Sequence, residues 1–134
     1  MGVTPPPVRV GQSAEASQEV TSDLVASHLG SGSLRVLATP AMALLVERTC
    51  RKMVEEGLPE GESTVGVDIR VRHLAPTPLG RSLRIRAEVV GVEGPAVDFR
   101  VEVWDDVEKV GEAEHRRVVI DLGRFMRRVE AKAG

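Results

Sequence analysis

Apolar residues recur along this chain with two different periods. Between Pro40 and Glu56 they fall on all but one side of a helical wheel, where Arg48, Arg51, Lys52 and Glu55 cluster. Thr39 before this run is a good N-cap, Pro40 a favoured first helical residue, and Gly57 with Pro59 a stop. The run predicts a helix of about 25 Å that protein largely wraps. After Gly61 the period changes to two. From Ser63 to Leu74 the odd positions Val65, Val67, Ile69 and Val71 are apolar, and Asp68, Arg70 and Arg72 are charged. Arg81 to Val92 repeats the pattern with Leu83, Ile85, Ala87 and Val89. Ala96 to Trp104 repeats it with Val97, Phe99, Val101 and Val103, and Lys109 to Leu122 makes a last strand. Pro76 and Pro78, Gly94-Pro95 and Asp105-Asp106 turn the chain between them.

The first third is less regular. The triple proline Pro5-Pro6-Pro7 predicts an extended arm over residues 1–10. A first strand fits Gln12 to Val20. A short helix fits Thr21 to Leu29, capped by Thr21 or Ser22, with His28 in its last turn and Gly30 beyond. Beyond the last strand, a tail from Gly123 carries Arg124, Arg127, Arg128 and Lys132, read as a solvated charged end.

Alternation means that each strand has one covered and one wet face, and short links imply antiparallel neighbours. A sheet curled around one buried helix satisfies both. The expected fold is therefore α+β, an antiparallel sheet wrapped around one long central helix in the hot-dog arrangement, as a single domain over 1–134.

Composition narrows the partners. The 18 basic and 20 acidic residues leave a net charge of -2, and aromatics are limited to Phe99, Trp104 and Phe125. Neither a basic footprint nor stacking residues favour nucleic acid. No apolar run is long enough to span a bilayer, and the N-terminal residues lack a signal-peptide pattern, so the expected location is cytoplasmic. The lone Cys50 excludes an intramolecular disulfide and reads as a small buried hydrophobe. Three scattered histidines make no metal site, and no phosphate loop, dinucleotide fingerprint or nucleophile elbow is present.

A few polar residues interrupt the apolar phase. His73 follows Val65 to Val71 in register, so its imidazole points to the covered face at a strand end, where it must be bonded or used. Glu47 lies in the long helix, either as half of an i, i+4 pair with Arg51 or as a carboxylate drawn into an apolar pocket, suited to act as a base. His115 and Arg117 point inward if the last strand has no bulge, and an inward arginine needs an anionic partner. Gly66 inside a strand marks a bulge or a close approach.

Together these residues resemble the fluoroacetyl-CoA thioesterase-like hot-dog family. The stretch Ala38-Thr39-Pro40-Ala41-Met42-Ala43-Leu44-Leu45-Val46-Glu47 is similar to the family's helix start, with its Thr and Glu eight residues apart. Gly66 to Pro78 is similar to the strand that follows, with a Gly, a His seven residues later and a Thr-Pro, and Gly111 to Phe125 matches the end. The resemblance implies a homodimeric acyl-CoA thioesterase, with higher association of dimers open, sites at the subunit interface and no metal or other cofactor. Thr39, Glu47 and His73 would be catalytic, and Gly66 and Arg117 would bind substrate. The stretch Gly30 to Ala38 has no aromatic, unlike the fluoroacetyl-selective branch, which points to another small acyl group. A hydratase of the same fold would carry an Asp-x-Asn-Pro-x-His signature, absent here. A non-catalytic acyl-CoA or acyl-carrier binding module is the alternative reading, and a pure dimerisation protein would bind no thioester.

Overall fold

The computed structural model describes residues 2–134. Five strands form one antiparallel sheet in the order β1-β3-β4-β5-β2: β1 Ser13–Glu19, β2 Glu62–His73, β3 Ser82–Glu93, β4 Ala96–Trp104 and β5 Lys109–Asp121. Helix α2, Thr39–Glu55, lies against the concave face, flanked in sequence by the short α1, Ala26–Leu29, and a terminal α3, Leu122–Ala133. This is the hot-dog fold.

The alternation of β3 and β4 decides which face is covered. Leu83, Ile85, Ala87 and Val89 on β3 and Val97, Phe99, Val101 and Val103 on β4 are all buried. Against them α2 sets Ala41, Met42, Leu45, Val46, Cys50, Met53 and Val54. Ala41 and Cys50 are small and Met42 and Met53 unbranched, and Gly111 lies directly beneath Met42. The outer sheet face is charged, with ion pairs such as Arg72–Glu112 and Lys109–Glu102 crossing between strands.

Five expectations change. The strict alternation from Val65 to His73 breaks at a bulge between Gly66 and Asp68. The bulge swaps faces: Thr64 is buried, whereas Val67 is 54% exposed. Beyond it Ile69, Val71 and His73 regain the covered side, paired with His115, Ala113 and Gly111. The single helix read over Thr21 to Leu29 is two pieces, a 3-10 turn Ser22–Leu24 and α1, because Val25 between them bridges to Leu37 in extended backbone. Helix α2 is covered on one side only: Leu44 stays exposed beside Arg48, Arg51 and Lys52. The basic tail is helical, with Asp121 capping it by accepting from the Arg124 N–H. Thr39, finally, is not the cap of α2; Ala38 is, and Thr39 is the first helical residue.

The N-terminal arm packs back on this frame. Pro6 is buried, Gly57 leaves room for Pro7, and the Thr4 N–H and hydroxyl both donate to Glu62. Among the described residues no helix is long and apolar enough to cross a membrane.

Candidate active site

The polar residues singled out above gather in two clusters along α2. The first is at its N-terminus. Because Ala38 takes the cap position, the Thr39 hydroxyl is released from capping and lies 2.9 Å from Nδ1 of His73. His73 ends β2 beneath it. Burial lowers the pKa of this imidazole, partly offset by a bond with the Ala75 backbone, so it is neutral at pH 7. Its Nε2 is buried without a hydrogen-bond partner. An orphaned ring nitrogen beside a helix N-terminus is a place for an outside polar atom.

The second cluster lies two turns further along. Glu47 leans across the sheet towards β5, and its Oε2 sits 3.6 Å from an NH1 of Arg117. The pair with Arg51 does not form, since Arg51 bonds Glu55 at 3.0 Å instead. Arg117 is buried, as its strand phase predicted. It has the anionic neighbour such a cation needs, and further acceptors besides: its Nε donates to the Thr64 hydroxyl at 2.8 Å and NH2 to the Thr64 carbonyl at 3.2 Å. Burial lowers its pKa, with Glu47 and Glu55 opposing.

His115 completes this cluster. Its Nδ1 donates to the Asp68 carbonyl at 2.7 Å, leaving Nε2 to accept from Arg117 NH1 at 3.2 Å. The Asp68 carbonyl reaches it at the bulge. Phe99 stacks on the ring at 6.4 Å between centroids. Burial and the Arg117 charge lower the pKa of His115, keeping it neutral.

Gly66 lies at the centre of these side chains. A Cβ there would stand 2.7 Å from Glu47 Oε2, 3.1 Å from His115 Cε1 and 3.3 Å from Arg117 NH1. The residue is glycine because of that close approach. Thr64 and Glu55 escaped the sequence reading; the bulge that turns Thr64 inward is signalled only by Gly66. Cys50 behaves as expected, fully buried, with burial pushing its thiol up to about 12. His28 is exposed in the last turn of α1, and Asp105 shapes its turn by accepting from the Val107 and Glu108 N–H groups. Among the described residues no group of three or more His, Cys, Asp or Glu is placed to hold a metal ion.

A carboxylate, a buried arginine and a threonine-bonded histidine thus lie along the central helix of a hot-dog sheet. The comparisons are more specific. The family model described as FlK, fluoroacetyl-CoA-specific thioesterase, matches residues 20–122. The fluoroacetyl-CoA thioesterase of Streptantibioticus cattleyicolor is 37% identical over 97 residues, 72% of this chain and 70% of that protein. A crystal structure of a threonine-to-serine mutant of FlK in complex with acetyl-CoA superposes with a TM-score of 0.88 at 32% identity, covering 95% of this chain and all of the other. A thioesterase superfamily member from Thermus thermophilus matches with a TM-score of 0.84 at 27% identity, over 94% and 96% of the two chains. The chain belongs to the fluoroacetyl-CoA-specific thioesterase family.

Proposed function

We propose that this protein hydrolyses a small acyl-CoA thioester to the acid and free CoA, using Thr39, Glu47 and His73 for the chemistry and Gly66 and Arg117 to shape the site. The observation that carries the reading is the Glu47 carboxylate held over Gly66 beside the buried Arg117. Water attacks the thioester carbonyl carbon and loses its proton to Glu47, or Glu47 attacks first and water then opens the anhydride. The carbonyl oxygen takes on negative charge, which the N–H groups of the first turn of α2 and the Thr39 hydroxyl stabilise. The C–S bond breaks, the neutral His73 orients the departing thiolate, and that sulfur takes the proton the water gives up, by way of Glu47.

The two clusters imply a second copy. Thr39 and Glu47 are eight residues apart on one helix, about 12 Å along its axis. A carbonyl within about 3 Å of one cannot be reached by the other. An antiparallel second copy would bring its Thr39 and His73 to face Glu47. Strand β2 supports this homodimer, since it is the sheet edge and runs for 12 residues with Val67 exposed. The exposed Leu44 on α2 adds apolar surface on the same element as Glu47.

The acyl group is a small one other than fluoroacetyl, because the stretch Gly30 to Ala38 offers no aromatic to pack over it. No metal or redox cofactor enters these steps, and a cytoplasmic location fits a CoA substrate. Thiol release from short, branched and aryl-acetyl CoA esters tests the reading, wild type beside Glu47→Gln. The expected result is turnover that falls about 10²- to 10⁴-fold in the variant. Full turnover in Glu47→Gln would refute the assignment. No turnover of any ester, with thermal shifts retained, would make the protein a binding module.

A further inference from the structure

We infer that Glu55 is a positioning residue for the reaction, acting through Thr64 and Arg117 to fix the Glu47 carboxylate. The chain of contacts is continuous. Glu55 Oε2 accepts from the Thr64 hydroxyl at 2.8 Å, the Thr64 N–H at 3.2 Å, the Ser63 hydroxyl at 3.1 Å and Arg51 Nε at 3.0 Å. Thr64 has one hydroxyl proton, and Glu55 takes it. The lone pairs of Thr64 Oγ1 are thereby left for Arg117 Nε at 2.8 Å. A hydroxyl without that carboxylate could rotate its proton towards the guanidinium and lose the bond.

The guanidinium is planar, so anchoring Nε and NH2 on Thr64 fixes where NH1 points. NH1 then lies between His115 Nε2 and Glu47 Oε2. Thr64 and Arg117 are both buried, so no water exchanges into these bonds freely. Desolvation works against the Glu55 charge, but the bonds from Arg51, Thr64 and Ser63 outweigh it and hold the group below the ordinary carboxylate range. Glu55 is therefore ionised throughout the pH range of a cytoplasmic enzyme. It also supplies a second negative charge to a buried arginine whose other carboxylate, Glu47, is engaged in the reaction. When Glu47 takes a proton, Glu55 keeps Arg117 compensated and in place.

This inference rests on Glu47 as the reacting carboxylate, and the test separates the two. Steady-state thiol release is measured with the fastest ester among acetyl-, propionyl-, isobutyryl- and phenylacetyl-CoA. The variants are Glu55→Gln, Thr64→Val, Thr64→Ser and Glu47→Gln, each with its melting temperature. The Glu55 side chain is 22% exposed, and glutamine keeps its size and shape. The expected result is a loss of about tenfold or more in kcat, with KM within about twofold, for Glu55→Gln and Thr64→Val. Thr64→Ser, which keeps the hydroxyl, restores most of the rate. Unchanged kcat in Glu55→Gln and Thr64→Val, while Glu47→Gln collapses, would overturn the positioning role alone. A loss that follows the melting temperature and is not rescued by Thr64→Ser would also overturn it. Full activity in Glu47→Gln would overturn the underlying reading instead.

Discussion

Substituting Gly66 by alanine places one methyl group where three site residues converge. The new Cβ would stand 2.7 Å from Glu47 Oε2, against an ordinary contact of at least 3.4 Å, so the carboxylate must retreat by about 0.7 Å. His115 and Arg117 cannot take up that displacement. His115 is held by the Asp68 carbonyl and stacked on Phe99, and Arg117 is bonded twice to Thr64. Among the described residues the Glu47 carboxylate is held by the 3.6 Å ion pair with Arg117 alone, so it is the group that moves. A displacement near 1 Å costs about 10²-fold when a reacting group must sit at attack distance, so a loss of about 10- to 10²-fold in kcat follows.

Stability should respond differently. Gly66 does not have positive φ, so alanine meets no backbone strain there. The largest overlap falls on a carboxylate tip that can swing outward, the 3.1 Å and 3.3 Å contacts to His115 and Arg117 add a smaller cost, and the substitution restricts the unfolded chain by about 0.4–1 kcal/mol in favour of folding. The net change should lie within about 1 kcal/mol, a shift of a few degrees in Tm. The assay is kcat by thiol release beside a thermal melt. A large Tm loss would mean that the bulge, not the approach of Glu47, requires glycine. Wild-type kcat with wild-type Tm would show that the carboxylate does not occupy this position during turnover.

Three other outcomes follow from the same contacts. Gly111→Ala would force Met42 off the sheet and should cost about 1–3 kcal/mol, seen as a lower urea midpoint; an unchanged midpoint would mean that α2 sits further out than described. Cys50, with its thiol pushed up to about 12 and no exposure, should resist iodoacetamide at pH 8 in the native protein and react fully in urea; fast native labelling would contradict its burial. His73 and His115 both titrate below the unfolded value near 6.5, so the unfolded state binds more protons between the folded and unfolded values. Their contribution to stability is complete above about pH 6.5 and is lost as pH falls through the folded values, so the urea midpoint should decline from pH 7 to pH 5; His115→Asn should flatten that slope, and a slope of opposite sign would refute the assignment.

The parts of this molecule that were legible in the sequence are those governed by one period at a time. Strand β4 was read with its observed bounds because nothing interrupts its alternation, and α2 to within a residue because Pro40 and Gly57 bracket it. Errors arose where a tertiary contact overrode a local preference. Thr39 has every local reason to cap α2, yet His73, 34 residues away, engages its hydroxyl and leaves the cap to Ala38. Val65 and Val67 fit an inward stripe by composition, and only the bulge between Gly66 and Asp68, with Val67 as the extra residue, breaks that stripe and places Thr64 inward. Both departures fall at the site. Without the bulge Thr64 would face solvent and could not hold Arg117. The local rules therefore fail where the chain gives up a regular element to place a functional group, and such a conflict between period and residue type, as at Gly66, is itself a pointer to where chemistry is built.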